Sequence, residues 1–251
     1  MYNKNEMPLI RATVFYYDTA YTIETAEKLL LALSNNGFDY PTNMFAEKLT
    51  NNRFIKLNKN CTFRELFVKG CTHKDITDIV ITSKYNEEDY WKIEFGFTFL
   101  KNTSNPVIHP TFNPWNRINI DATYSLMHSE VFSNQYYNLF NEIISIVKPI
   151  FGSIDDVDKK VSMLKRNGFT HFVPNTIQAI YWCNYYGHDI CNSVGIDKLL
   201  SLPITNKKQT NDGFIYYLTE NVLDFSSLEC MRKRSIVERI LMHNTLYCKR
   251  D

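Results

Sequence analysis

Two stretches of the chain alternate between apolar and polar side chains with a period of two. They are residues 90–100, "YWKIEFGFTFL", and residues 116–126, "NRINIDATYSL". This alternation is typical of strands in an antiparallel sheet that has one buried face and one solvated face. The segment between the two stretches carries three prolines and is predicted to be a loop. Leu9–Asp18 is predicted to form an earlier strand.

Two segments show the spacing of amphipathic helices in the first 150 residues. The first helix is predicted to begin after Thr22, which can act as an N-cap, and to stop at Gly37. The second is predicted between Ser129 and Pro149, with a wide apolar stripe that fits against a sheet. Strands and helices in this order predict a sheet covered by two helices. No clear period is found in Asp39–Cys71.

The last 100 residues predict a second group of elements. A short helix is expected over Asp155–Asn167, followed by an aromatic strand around Ile180–Gly187 and a helix over Asp189–Leu202. "NDG" at Asn211–Gly213 is a hairpin signal. A final helix begins at the capping box Ser226-x-x-Glu229, and its apolar side is predicted from five residues: Leu228, Met231, Ile236, Ile240 and Leu241.

These elements predict the α+β class: an antiparallel sheet packed by helices on one face, with a smaller C-terminal α/β subdomain. We expect one compact domain over residues 1–251, with a possible subdivision into 1–150 and 151–251. Neither a Gly/Ser-rich linker nor a sequence repeat separates the two halves.

Composition and charge narrow the function classes. The chain has 28 basic and 27 acidic residues, whereas a protein that depends on phosphate contacts usually has a marked basic excess. We therefore expect no nucleic-acid partner. No secretory signal or apolar run of membrane-spanning length is found, and the six cysteines follow no disulfide spacing. These features predict a soluble cytoplasmic protein with reduced thiols and no membrane association.

Known catalytic and cofactor motifs are not found in the sequence. Its 8 glycines form neither a P-loop nor a dinucleotide fingerprint, so no cofactor is expected. The Cys71/His73 and His188/Cys191 pairs lack the tight spacing of a structural zinc site, and no metal is expected. The Asp155–Asp158 cluster is explained by the start of a helix. The triplet Arg232–Arg234 is predicted to be mostly a solvated face.

The aromatic segment Ile180–Ile190, "IYWCNYYGHDI", has two interpretations. It can be a core strand that is buried on both faces, with its tyrosine hydroxyls satisfied at the strand edge. It can also be a strand end that presents its rings to a ligand or partner, since Tyr and Trp are favoured interface anchors. Under the second interpretation the predicted partner-binding residues are Trp182, Asn184, Tyr185, Tyr186 and Asp189.

The run from Ile180 to Pro203, together with "DGFIYYLTENVLD" at residues 212–224, resembles a block found in bacterial toxin-immunity proteins, including type VI secretion immunity proteins. The resemblance covers part of the C-terminal half, and Gly187-His188 stands where the family pattern has Gly-Pro. The matching positions are Tyr181, Trp182, Asn184, Tyr185, Tyr186, Gly187, Leu199, Leu200, Pro203 and Gly213.

The resemblance implies a non-enzymatic immunity protein, active in interbacterial competition, that binds and neutralises a cognate toxin. One alternative is an enzyme of unrecognised class, for which Asp121, His128, His171 and His188 are the first candidates. Another is a structural or phage- and defence-related interaction protein with a different partner. The sequence predicts neither the identity of the partner nor the oligomeric state.

Overall fold

An antiparallel sheet runs through the described part of the chain. The computed structural model describes residues 9–16, 22–38, 43–48, 54–56, 64, 67, 76–84, 92–98, 116–167 and 176–246. Within these residues ten strands lie in the order β3-β2-β4-β5-β6-β1-β7-β8-β10-β9. The strands are β1 Leu9–Tyr16, β2 Asn43–Lys48, β3 Phe54–Lys56, β4 Ile76–Lys84, β5 Lys92–Thr98, β6 Asn116–Thr123, β7 Phe151–Asp156, β8 Cys183–Gly187, β9 Lys207–Gln209 and β10 Gly213–Tyr217.

Helices pack against this sheet, so the predicted α+β class is confirmed. The helices are α1 Ile23–Asn35, α2 Tyr124–Met127, α3 Glu130–Val147, α4 Val157–Arg166, α5 His188–Val194, α6 Ile196–Leu200 and α7 Leu228–Leu246, with a 3₁₀ helix at Val222–Ser226. In the described part of the chain, no helix combines the length and the apolar character needed to cross a bilayer.

The sheet continues across residue 150, the position of the predicted subdivision of the chain. β7, the first strand after that boundary, pairs with β1 on one side and with β8 on the other. In this register Ala12 lies opposite Ile154, and Thr13 lies opposite Ser153. Because side chains alternate along a strand, Ala12 and Ile154 lie on one face, called the first face, while Thr13 and Ser153 lie on the second face.

Helices α1 and α3 begin as predicted. Thr22 accepts a hydrogen bond from the Thr25 amide, and Ser129 accepts one from the Phe132 amide. α3 covers the first face, where the Tyr136 hydroxyl accepts from the Ala12 amide at 2.8 Å and donates to the Ile120 carbonyl at 2.9 Å. One tyrosine of α3 thus joins β1 to β6.

Helices lie on both faces of the sheet, and not on one face as predicted. On the second face, the Lys160 amine of α4 donates to the Thr13 hydroxyl and to the Ser153 carbonyl. Thr13 and Ser153 are 6% and 1% exposed. Thr13 of β1 and Ser153 of β7 are polar, but they are buried under a helix that supplies a hydrogen-bond partner.

The predicted helix over Asp189–Leu202 is two short helices. Gly195 separates α5 from α6 and has φ 91°, a left-handed conformation that glycine adopts readily. The Gly195 amide still donates to the Cys191 carbonyl, which closes α5. The hairpin prediction at Asn211–Gly213 is confirmed, since β9 pairs with β10 across this turn.

The final helix starts later, and with a different buried side, than predicted. Ser226 ends the 3₁₀ helix, and it is the Ser227 hydroxyl that accepts from the Cys230 amide at the start of α7. Three of the five residues assigned to its apolar side are exposed, namely Leu228 at 81%, Met231 at 39% and Ile236 at 37%. The buried side contains the predicted Leu241 together with four residues outside the predicted set: Cys230, Arg234, Val237 and Met242.

Candidate partner-binding cleft

The aromatic segment lies in the interior. Trp182 is 1% exposed, and Asn184, Tyr185 and Tyr186 are each 0% exposed. These four predicted partner-binding residues therefore cannot form an exposed docking surface in this fold, and the core-strand interpretation describes them. They are enclosed because β8 is an interior strand that lies between β7 and β10.

Polar atoms in this segment are satisfied internally. The Asn184 amide group accepts from the Tyr181 backbone N–H at 3.0 Å and donates to the Tyr181 carbonyl at 2.8 Å. The Trp182 indole donates to the Thr219 hydroxyl at 2.7 Å, and the hydroxyls of Tyr186 and Tyr216 lie 2.9 Å apart. Burial raises the pKa of Tyr186, which keeps its hydroxyl neutral.

A shallow cleft opens where the chain leaves β8, at the exposed end of the aromatic segment. Its volume is about 180 Å³. Asp189, the fifth predicted partner-binding residue, is exposed and lines this cleft. The complete lining is Lys148, Pro149, Ile150, His188, Asp189, Asn211 and Asp212.

The buried aromatic strand fixes the walls of the cleft. The Tyr185 hydroxyl donates to the Asp212 carbonyl at 2.9 Å, which holds the β9–β10 turn, and the Gly187 amide donates to the Ile150 carbonyl at 2.8 Å. A Cβ atom on Gly187 would lie 2.3 Å from the Pro149 carbonyl oxygen. Glycine is therefore required where β8 meets the end of α3, because any side chain would push the walls apart.

Charges of both signs line the cleft. The Lys148 amine lies 3.3 Å from an Asp212 carboxylate oxygen, and both side chains are substantially exposed. Lys148 has φ 45°, a left-handed conformation that is uncommon for a residue with a side chain. Asp189 contributes a second carboxylate from the first turn of α5. The lining of the cleft thus includes two carboxylates and one ammonium group.

Sequence reasoning missed a buried ion pair on the second face. Asp155 was assigned to a helix start, but it lies in β7 and is 0% exposed. Its carboxylate accepts from the Arg234 guanidinium at 2.7 Å and from the Trp182 amide at 2.8 Å. Arg234 is 4% exposed, so the triplet Arg232–Arg234 is not a uniformly solvated face. Burial raises the pKa of Asp155, whereas Arg234 acts in the opposite direction.

Asp156 is the residue that caps α4. Its carboxylate accepts from the Lys159 amide at 2.8 Å and also from the Tyr124 hydroxyl. The helix-start explanation of the acidic cluster is therefore correct for Asp156. A strand was not predicted in "FGSIDD" because it is short and has few apolar residues, and this is why Asp155 was misplaced.

A second buried cation lies close to this ion pair. Lys160 is 9% exposed and donates to the Arg11 carbonyl, the Thr13 hydroxyl and the Ser153 carbonyl at 3.1 to 3.2 Å. It also lies 5.1 Å above the centre of the Tyr181 ring. Desolvation lowers the pKa of Lys160 to about 7, although Asp155 acts to raise it. The second face thus contains an enclosed network of charged groups.

The four residues named for an enzyme do not share a site in the described part of the chain. The Asp121 carboxylate is bound by the Arg11 guanidinium through two contacts of 2.6 Å. His128 is exposed just after α2, and His188 lines the cleft, to which neither Asp121 nor His128 contributes. His171 lies outside the described residues. In the described part of the chain, the predicted residue Asp189 and other exposed charged side chains come together at the cleft.

Cysteines and histidines are the candidate metal ligands of this chain. Cys183, Cys191 and Cys230 are buried free thiols, and the Cys191 thiol lies 3.2 Å from the Tyr186 carbonyl. Cys71 and His73 lie outside the described residues. Among the residues that are described, no group of three or more His, Cys, Asp or Glu side chains is arranged to hold a metal ion.

Comparison with known proteins gives a likeness of fold. No protein-family model and no curated protein sequence matches this chain. Among solved structures, the chain is similar to the Pseudomonas aeruginosa T6SS protein PA0821, with a TM-score of 0.58 and 12% sequence identity. The superposition covers 94% of this chain and 76% of that chain. At this level of identity the likeness shows a shared fold.

Proposed function

We propose that this chain is a cytoplasmic immunity protein that binds and neutralises a bacterial toxin without catalysing a reaction. The observation that carries the proposal is the fold shared with a T6SS protein over 94% of the chain. The resemblance of residues 180–203 and 212–224 to type VI secretion immunity proteins supports it independently of the coordinates.

The cleft at the end of β8 is the proposed toxin-binding site. It presents the carboxylates of Asp189 and Asp212 in a concave surface whose walls are fixed by buried tyrosines and tight glycine contacts. A preformed site loses little conformational entropy on binding, which favours affinity. The matching element on the toxin is a lysine or arginine side chain that enters between the two carboxylates and competes with Lys148 for Asp212.

The test uses the protein encoded by the neighbouring upstream gene as the candidate toxin. We expect that expressing this protein alone arrests bacterial growth, and that co-expressing the present chain restores growth. We also expect the two purified proteins to form a complex by size-exclusion chromatography. If the upstream protein is toxic, but the present chain neither binds it nor restores growth, the proposed function is wrong.

Two matched double variants test the site. D189N/D212N removes both carboxylates of the cleft while keeping the side-chain shapes, and we expect about tenfold or greater loss of toxin affinity. D197N/D224N removes two exposed carboxylates elsewhere, one of them also in the first turn of a helix, and should bind like the wild type. Equal affinities for the two double variants would exclude the cleft without excluding toxin binding.

A further inference from the structure

Helix α7 presents an apolar and basic stripe to solvent. Its members follow helical spacing, at i, i+3, i+4, i+7, i+8 and i+11 from Leu228, and so lie on one side of the helix. Leu228 is 81% exposed, Met231 39% and Ile236 37%, and the two arginines between and beyond them are also exposed. We call this surface the α7 stripe: Leu228, Met231, Arg232, Ser235, Ile236 and Arg239.

The stripe does not result from an ordinary amphipathic pattern. The buried side of α7 contains Cys230, Val237 and Leu241, but it also contains Arg234, which pairs with Asp155. A helix that only covers a core usually keeps its apolar residues inside and its charges outside. Here one charge is enclosed, while three large apolar side chains stay 37% to 81% exposed, and exposed apolar clusters mark interaction sites.

The α7 stripe is separate from the cleft. The cleft lies beside the ends of β7, β8 and β10 that contain Phe151, Gly187 and Gly213. α7 is attached near the opposite ends of these strands, through the contact of Arg234 with Asp155. The cleft and the α7 stripe are therefore separated by about the length of these strands, which is roughly 15 Å or more at about 3.3 Å per residue.

We propose that the α7 stripe is a second docking surface, which binds an acidic protein segment with apolar side chains at helical spacing. The guanidinium groups of Arg232 and Arg239 favour carboxylate partners, because arginine forms bidentate hydrogen bonds with a carboxylate. In the described part of the chain neither Arg232 nor Arg239 has an ion-pair partner, whereas Lys233 beside them pairs with Glu229 at 2.6 Å. The inference does not depend on the toxin proposal.

Two other occupants fit the stripe less well. A helix that binds a membrane surface keeps its basic residues apart from its apolar face. In the stripe Arg232 and Arg239 lie between Met231 and Ile236 around the helix, so lipid contact would bury the guanidinium groups. A second copy of this chain would bring arginine stripes of the same charge together, which opposes association.

The test measures binding of a labelled helical peptide to the full-length chain by fluorescence anisotropy. The peptide carries leucines at i, i+3 and i+7, with glutamates between them, and a matched peptide has lysines in place of the glutamates. We expect the glutamate peptide to bind the wild type at least about tenfold more tightly than the lysine peptide. R232E/R239E should lose at least about tenfold in affinity for the glutamate peptide.

A control variant and a second pair of substitutions distinguish the contribution of charge to peptide binding from the contribution of apolar contact. K198E/K208E makes the same change of net charge at two exposed lysines outside α7 and should bind like the wild type. L228S/M231S should weaken binding severalfold, and the variant should stay folded at the temperature of the assay, because Leu228 is 81% and Met231 39% exposed. Equal loss in the two charge-reversal variants would show unspecific attraction and overturn the proposal.

Three further outcomes would also overturn the proposal. In the first, the wild type shows no preference for the glutamate peptide over the lysine peptide. In the second, the wild type binds phosphatidylglycerol vesicles through Arg232 and Arg239 but does not bind the glutamate peptide, which would identify the stripe as a membrane-binding surface. In the third, sedimentation shows a dimer that L228S/M231S dissociates, which would identify a second copy as the occupant.

Discussion

At the scale of single residues, the buried contact between Asp155 and Arg234 connects the sheet to the last helix. We expect Arg234→Met to lose about 3–5 kcal/mol of unfolding free energy, because it leaves the enclosed Asp155 carboxylate without its cation. The double variant D155N/R234M should lose clearly less unfolding free energy than the sum of the losses of the single variants D155N and R234M. Urea unfolding followed by circular dichroism at pH 7 measures all three values.

Arg232→Met is the matched control for Arg234→Met. Arg232 lies on the same helix and is exposed. Its replacement should change the unfolding free energy by no more than about 0.5 kcal/mol. Similar losses at positions 232 and 234 would show that the contact with Asp155 does not stabilise the fold.

Lys160 provides a prediction about pH. Burial lowers its pKa from 10.5 to about 7 in the folded chain. Between these two values the unfolded chain holds a proton that the folded chain lacks, so the contribution of Lys160 makes unfolding less favourable as pH rises. The free energy of unfolding of the wild type relative to Lys160→Met should rise by up to about 1.4 kcal/mol per pH unit above pH 7.

The comparison with Lys160→Met is necessary because other groups titrate in the same range. Burial raises the pKa of the Cys183 and Cys191 thiols, so their contributions make the folded chain less stable as pH rises above the pKa of a free thiol. The Cys191 contribution is common to both proteins and cancels in the difference, and the Cys183 contribution cancels apart from the effect of Lys160 on that thiol. Urea unfolding at pH 7.0, 7.5, 8.0 and 8.5 gives this difference, and a flat profile would contradict an enclosed, titrating Lys160.

At the scale of elements, Tyr136 of α3 joins the two central strands β1 and β6. We expect Tyr136→Phe to lose about 1–3 kcal/mol of unfolding free energy, because the Ala12 amide and the Ile120 carbonyl would be left buried without this partner. Tyr217→Phe is the matched control, since its hydroxyl donates to Asn141 in an exposed contact and otherwise meets the Cys183 thiol, a weak partner, and neither contact is to a backbone group. A thermal melt that ranks the two variants equally would argue against the bridge.

The elements that the sequence predicts well are those whose periodicity is long and uninterrupted. β5 and β6 alternate cleanly, and α3 has both a cap and a wide stripe, so their existence and type were predictable. β7 was missed because "FGSIDD" has few apolar residues, although all six are buried. The buried side of α7 was assigned wrongly because a partner distant in sequence, Asp155, draws Arg234 inward.

At the scale of the whole molecule, the sheet order predicts where the backbone is most stable. β1, β6 and β7 lie in the interior of the sheet, whereas β9 lies at its edge and spans three residues. We therefore expect the amides of Ala12 and Val14 to exchange with deuterium far more slowly than those of Lys208 and Gln209. The amides of β10, which has a neighbour on each side, are the internal control and should exchange more slowly than those of β9.

The cleft could be predicted only in part. The sequence places Asp189 just beyond an aromatic segment, and that residue does line the cleft. Apart from His188, the other lining residues come from the end of α3 and from the β9–β10 turn, more than 60 residues apart in the chain. They meet because Gly187 allows β8 to approach Ile150 closely and because Tyr185 holds the turn. Pattern analysis of one segment cannot show such long-range contacts.

The edge strand β9 also limits how copies of this protein can assemble. It offers three residues, two of them lysines, and the Lys207 amine is turned back onto the carbonyls of Leu200 and Leu202. A short edge strand that carries two lysines is a poor template for pairing with another backbone. Concentrated solutions of the protein should therefore not form filaments in which a strand of another copy pairs with β9.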